Sequence, residues 1–216
     1  VKYRIVARAD GVRVGYIKLS EFNAQCKART IEALNDLERQ GATRLVLDLR
    51  GNGGGVLDGA ISIAGLFAER PLVLYVTDAN GSRQPLYSRE ASVETLAPME
   101  VWVDASTASS AEVLAAALHD NCRASLVGST TYGKGVIQGV FGLSDGSSLI
   151  QTVASYATPS GAEINRKGVE VDKQQIFFSD VLGSSWVDQD VRSASITPGV
   201  DRGVCSVPRE VDPDLD

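Results

Sequence analysis

The chain has 216 residues, 44% of them hydrophobic and 22% charged, the make-up of a globular protein with one core and room for a small appendage. A formal net charge of −6 excludes the basic face that a nucleic acid or an anionic membrane surface needs, so no nucleic-acid partner is expected. No apolar run reaches the roughly 18 residues of a membrane span, so no integral membrane segment is expected.

In chain order, residues 2–8 and 12–19 are predicted strands around the turn Asp10-Gly11. Residues 23–40 form a predicted amphipathic helix with Ile31, Leu34 and Leu37 at three-residue steps. The β-branched run 43–49 suits a buried parallel strand. The Gly-rich turn Gly51-Asn52-Gly53-Gly54-Gly55 follows, then a helix over about 56–68 and a strand at 72–77. Asn80-Gly81 marks a hairpin turn, and 101–103 a short strand. A helix at 111–121, a strand at 124–127 and a hairpin of 136–143 with 147–156 come next. From about Ile176 the pattern becomes a Ser-, Asp- and Pro-rich tail. Strands alternating with helices predict an α/β layered fold.

Three sequence strings offer functions that their contexts reject. The Gly turn sits between strand and helix like a dinucleotide fingerprint, with Asp78 at the next strand end. Val56 replaces the third glycine, and the frame starting at Gly53 meets Asp58 instead. Gly128-Ser129-Thr130-Thr131-Tyr132-Gly133-Lys134-Gly135 nearly spells a P-loop. Gly135 stands where the magnesium-holding Ser or Thr belongs, and a strand follows where a helix is required. Gly142-Leu143-Ser144-Asp145-Gly146 has the letters of a nucleophile elbow but lies between two strands, in hairpin-turn chemistry.

Ser109 remains. Ser109-x-x-Glu112 is a capping box, which by itself asks only for a helix start. The same place suits a nucleophile, because a helix N-terminus favours developing negative charge and the Ser110 N–H follows directly. His119, the single histidine, lies ten residues along the same helix, about 15 Å away and roughly 80° around it, out of reach as a base. A lysine serves as base only when its amine is neutral, which burial among apolar groups can bring about. Lys134, between two glycines in an otherwise apolar segment, is the candidate, and the Gly turn supplies bare N–H groups for an oxyanion.

Thr107-Ala108-Ser109-Ser110-Ala111-Glu112 and Tyr132-Gly133-Lys134-Gly135-x-x-Gln138 resemble the carboxyl-terminal processing (tail-specific) serine proteases. So do Asp48-Leu49-Arg50 with its Gly turn, Val14-Gly15-Tyr16-Ile17-Lys18-Leu19-x-x-Phe22-Asn23, Leu143-Ser144-Asp145-Gly146-Ser147 and Tyr156-x-Thr158-Pro159. The similarity runs over about 12–175 and is strongest to chloroplast and cyanobacterial members that trim a photosystem II reaction-centre subunit. Gly203-Val204-Cys205 is similar to algal forms. The string departs in carrying Ser106 for a glycine and in exchanging the Ala and Ser after the nucleophile.

The resemblance implies a crotonase- or ClpP-like α/β catalytic core. It implies Ser109 as nucleophile and Lys134, 25 residues later, as general base, with Gln138 orienting the lysine. Gly54 and Ser110 N–H groups would form the oxyanion hole, and the partner would be a protein carboxyl terminus. No metal or other cofactor is implied. The expected organisation is a core at 1–175 and an irregular segment at 176–216 packing on it, without the family's PDZ domain, which is expected in the full-length protein. Beginning with Val1 rather than Met, the chain is expected to be processed or cut, with any targeting peptide out of view. The expected location is the chloroplast thylakoid lumen, with the cyanobacterial lumen or a bacterial periplasm as alternatives. Rival expectations are a non-enzymatic binding module on this scaffold and a crotonase-type acyl-CoA enzyme. Cys26, Cys122 and Cys205 form no metal-ligand spacing and allow one internal disulfide with a thiol left over.

Overall fold

Strands β1 (Lys2–Ala7) and β2 (Arg13–Lys18) pair antiparallel about the expected Asp10-Gly11 turn, where Asp10 Oδ1 accepts the Val12 N–H at 3.0 Å. This computed structural model describes residues 1–89 and 93–196. Helix α1 (Cys26–Arg39) buries Ala33, Leu34 and Leu37 on one side, and β3 (Arg44–Asp48) follows. Helix α2 (Leu57–Gly65) leads into the antiparallel pair β4 (Leu72–Asp78) and β5 (Arg83–Tyr87). Then come β6 (Met99–Val103), α3 (Ser110–Asp120) and β7 (Ser125–Gly128). Strands β8 (Val136–Gly142) and β9 (Ser148–Ala157) make the expected hairpin. The last elements are β10 (Lys173–Gln174) and the short helices α4 (Phe178–Leu182) and α5 (Val187–Ser193).

Two sheets result. The larger runs β1-β2-β3-β6-β7-β10, with β1 antiparallel to β2 and the other neighbours parallel. The smaller, β5-β4-β9-β8, is antiparallel throughout. Alternation along the central strands divides the core. Leu45, Leu47, Val101, Val103 and Leu126 face α1, α2 and α3, while Val46, Trp102 and Val127 face Phe177, Val187 and Val191. A strand buried on both faces is apolar at consecutive positions, which is why Leu45-Val46-Leu47 shows no polar alternation.

Residues 177–196 pack on this second face. Phe177, Val191, Ala194 and Ile196 are all buried there. Its two short helices were read from the sequence as irregular chain. Helix α4 has a non-local cap, since Asp190 accepts the Phe178 N–H at 2.7 Å and the Ser179 N–H at 3.0 Å. Cys26 is a buried free thiol, and Cys122 is disulfide-bonded. Cys205 and the rest of 197–216 lie outside the described residues.

Strands β3, β6 and β7 are neighbours and parallel, so the segments leaving their carboxyl ends, 49–56, 104–109 and 129–135, emerge at one edge of the sheet. In an open parallel sheet that edge is where ligands collect.

Candidate active site

The three segments brace one another before any reactive group is considered. Asn52 is fully buried; its Nδ2 donates to Leu19 O at 2.9 Å, and its carbonyl accepts the Ala108 N–H at 2.9 Å. Asp104 Oδ1 accepts the Gly51 N–H at 3.0 Å and the Ser106 N–H at 2.9 Å. Thr107 Oγ1 accepts the Asp104 N–H and donates to Leu49 O, both at 3.0 Å. The Gly turn and the approach to Ser109 are thus one hydrogen-bonded unit.

Ser109 sits at the N-cap of α3 with φ 58° and ψ −125°. An ordinary N-cap is extended, so this backbone is held in a sparsely populated region by its surroundings, as at strained functional turns. The Ser110 N–H, first in the helix, has no acceptor among the described residues. Gly54 packs directly against the serine. At φ 101°, a Cβ there would lie 2.8 Å from Ser109 Cβ and 2.9 Å from Ala108 O. The Gly54 N–H is turned to Asn52 Oδ1 at 2.8 Å. Gly54→Ala should therefore push the turn off Ser109 and slow reaction of that serine with a fluorophosphonate by at least about tenfold, a cost on the scale of 1–3 kcal/mol of backbone strain. Unchanged labelling would show that this close approach has no part in the site.

Sequence reasoning assigned Glu112 only to the cap. In the structure it is fully buried and accepts four hydrogen bonds. Oε2 takes the N–H groups of Ser109 and Lys134, each at 2.9 Å, and Oε1 takes Thr131 Oγ1 at 2.6 Å and the Gly133 N–H at 2.7 Å. The carboxylate thus clamps the serine turn to the lysine segment through main-chain donors and one hydroxyl. Gly135 closes the same segment against Asn165, whose N would lie 2.3 Å from any Cβ. The Lys134 side chain itself is exposed and has no hydrogen-bond or ion-pair partner among the described residues. The burial expected for it is absent in this conformation. Gln138, exposed on β8 just past a bulge at Ile137/Gln138, likewise has no side-chain partner among the described residues. The hydroxyl of Ser109 faces Tyr156 Oη at 3.4 Å, and Tyr156 donates to the Lys134 carbonyl at 2.9 Å.

Behind the Gly turn lies a second brace. Asp48 accepts from Tyr16 Oη at 2.7 Å, from Lys18 Nζ at 3.1 Å, and from Arg50 through Nε at 3.0 Å and NH2 at 2.7 Å. Burial would raise the Asp48 carboxyl, but the hydrogen bonds and charge of Arg50, with Lys18, hold it below the usual range. Lys18 also donates to the Arg50 carbonyl. The other edge of Arg50 reaches Ser179 Oγ at 3.0 Å and Asp180 Oδ1 at 2.9 Å, and its plane lies 4.1 Å from the Phe177 ring centroid. Arg50 thereby ties the Gly turn to α4.

His119 stands at the far end of α3, as expected, but it is a cross-link rather than a simple exposed helix residue. Nδ1 lies 2.9 Å from Asp120 Oδ1 and Nε2 3.0 Å from Asp172 Oδ1. The hydrogen bonds to Asp120 and Asp172 outweigh desolvation and raise its pKa from 6.5 to about 10. The charged imidazole is favoured in the folded state. Its contribution to stability is complete below about 6.5 and is lost as pH rises through about 10. Thermal unfolding should show stability falling across that window, with His119→Gln flattening the fall; equal slopes for both chains would refute the cross-link. The near-P-loop runs into strand β8, and Ser144 lies in a hairpin turn closed by Leu143 N–H to Ser147 O at 2.8 Å. Neither forms the site its letters suggest.

A profile of Peptidase family S41 matches residues 13–174. The carboxyl-terminal-processing protease of Picosynechococcus sp. is 45% identical over 164 residues, covering 76% of this chain and 39% of that protein. The chloroplastic carboxyl-terminal-processing peptidase 1 of Arabidopsis thaliana is 42% identical over 174 residues, 80% of this chain and 36% of its own length. A solved photosystem II D1 C-terminal processing protease superposes with a TM-score of 0.77 at 34% identity, covering 91% of this chain and 53% of that one. The chain spans less than half the length of these curated relatives.

Proposed function

From the premise that this chain belongs to peptidase family S41, we propose that it is the catalytic unit of a serine endopeptidase cutting protein substrates near their carboxyl termini. The observation that carries the proposal is the single buried carboxylate of Glu112, which joins the strained Ser109 turn to the Lys134 segment. Ser109 Oγ attacks the scissile carbonyl. The Lys134 amine takes the serine proton and returns it to the leaving amine, after its exposed side chain has swung onto Ser109. Water then resolves the acyl-enzyme. The Ser110 N–H is free to meet the oxyanion, and the Gly54 N–H joins it on leaving Asn52 Oδ1. Each such donor contributes about 3–4 kcal/mol to the transition state. Gln138 orients the lysine on closure. None of these steps calls for a metal.

We place the catalytic core at 1–175, with the described part of the following segment bracing the Gly turn through Arg50. The name of the solved D1 processing protease supports a photosystem II subunit precursor as substrate, and the cyanobacterial and chloroplastic relatives support a photosynthetic compartment, which we take to be the thylakoid lumen of a chloroplast, with the lumen of a cyanobacterium or a bacterial periplasm as alternatives. The test is covalent labelling by a fluorophosphonate followed by peptide mapping. Label on Ser109, undiminished by EDTA, supports the assignment. Failure of Ser109 to label in a folded chain would favour the binding-module reading, and thioester turnover surviving loss of Ser109 would favour an acyl-CoA enzyme.

A further inference from the structure

Tyr156 is 5% exposed, near the end of β9, and its N–H donates to Gly135 O at 3.1 Å. Its hydroxyl stands between the proposed nucleophile and the main chain of the lysine segment, 3.4 Å from Ser109 Oγ and 2.9 Å from the Lys134 carbonyl. A phenol has one proton to donate. That proton goes to the Lys134 carbonyl, which has none to give. What Tyr156 offers Ser109 is therefore a lone pair, and the serine O–H is the donor in the longer contact. Burial first, and then the nearby charge of Glu112, raise the tyrosine pKa against the opposing hydrogen bond from Ser109. The phenol stays neutral through the working pH range and takes no proton from the serine.

We propose that Tyr156 is a positioning residue whose hydroxyl sets the rotor of Ser109 and registers it against the main chain at Lys134. This inference rests on the Ser109–Lys134 reading above. When the neutral Lys134 amine arrives, the Ser109 O–H bond breaks, an N–H bond forms on Nζ, Oγ bonds the carbonyl carbon, and the carbonyl π pair moves onto its oxygen. Tyr156 keeps its own proton throughout. Its part is finished once the hydroxyl points correctly, so its loss should slow the bond-making step and leave the preceding association almost unchanged.

The test measures fluorophosphonate labelling against probe concentration in the full chain, giving a limiting rate and a half-saturating concentration. Tyr156→Phe should lower the limiting rate about tenfold, the scale of a small misplacement of a reacting group, with half-saturation unmoved and the melting temperature lowered by only about 2–4 °C for the one hydrogen bond lost to the Lys134 carbonyl. Incorporating 3-fluorotyrosine at 156, which retains the hydroxyl, should restore the limiting rate. A Phe variant that labels at the parental rate would overturn the inference, as would a slow Phe variant that fluorotyrosine fails to restore. Lys134→Ala is run beside them. If it labels normally, the Ser–Lys reading falls and takes this inference with it. If it is inert while Tyr156→Phe labels normally, only the role of Tyr156 is lost.

Discussion

Ser109→Ala and Lys134→Ala should each remove at least about 10³-fold of hydrolytic activity, and the double variant should be no worse than either single one. Nucleophile and base act as a unit, so removing one leaves the other without work. The structure makes Lys134→Ala a clean test. Glu112 grips the Lys134 N–H and Tyr156 grips its carbonyl, so the segment keeps both anchors when the amine is deleted. The exposed side chain also takes no buried packing with it. The measurement is kcat/KM on a peptide ending in a free carboxylate, with the thermal midpoint as control. His119→Ala serves as comparison, because the cross-link lies at the other end of α3 and its loss should leave the chemistry intact. A Lys134→Ala chain keeping a tenth of parental activity, or a His119→Ala chain as impaired as Lys134→Ala, would end the lysine-base assignment.

Glu112→Ala should cost both stability and reactivity. The carboxylate is fully buried, and its removal leaves the N–H groups of Ser109, Gly133 and Lys134 and the Thr131 hydroxyl without their acceptor. Buried donors left unmet cost about 1–3 kcal/mol each, reduced where a water fills the gap. A destabilisation on the order of 3–5 kcal/mol follows from these neutral donors together. The serine turn and the lysine segment would also come apart, and misplacement on the scale of 1 Å removes about 10²-fold of rate. Glu112→Gln separates the two effects. Its volume is nearly the same, but its amide nitrogen donates where two donors already point, so it keeps half the clamp. Denaturant unfolding and kcat/KM together check this, and parental values for the Gln variant in both would show that the clamp is not what aligns the site.

Much of the fold could be read because its signals are local. The run 43–49 carries the apolar stretch Leu45-Val46-Leu47, Asp10-Gly11 and Asp145-Gly146 carry turn chemistry, and Ile31, Leu34 and Leu37 keep helical spacing. The candidate pair Ser109 and Lys134 was proposed by elimination and by resemblance, and the parallel order of β3, β6 and β7 brings their segments to one edge. What escaped is non-local. Glu112 looked complete as a capping partner for Ser109, and three of its four donors lie 19 to 22 residues away, two of them main-chain N–H groups with no sequence signature. Helix α4 depends on Asp190 for its cap, and Arg50 finds Asp180 130 residues along the chain. Strand β10 is two residues long and is a strand only because β7 pairs with it. His119 reads as an ordinary helix residue until Asp172, 53 positions later, folds back onto it.

The distances in sequence across the Glu112 clamp and the Ser109–Tyr156 contact, up to 47 residues, carry a temporal meaning. Helix α3 needs only neighbours to form, whereas the groups that hold its N-cap, Ser109, in a strained shape arrive from β9 and from the segment between β7 and β8, which must first find their places in two sheets. Closing such loops is slow because their entropy is lost before the contacts repay it. A nascent chain would therefore possess its helices well before the Ser109 turn takes its finished geometry. On the proposed function, an unfinished molecule would be chemically silent toward its neighbours until the moment its architecture is complete.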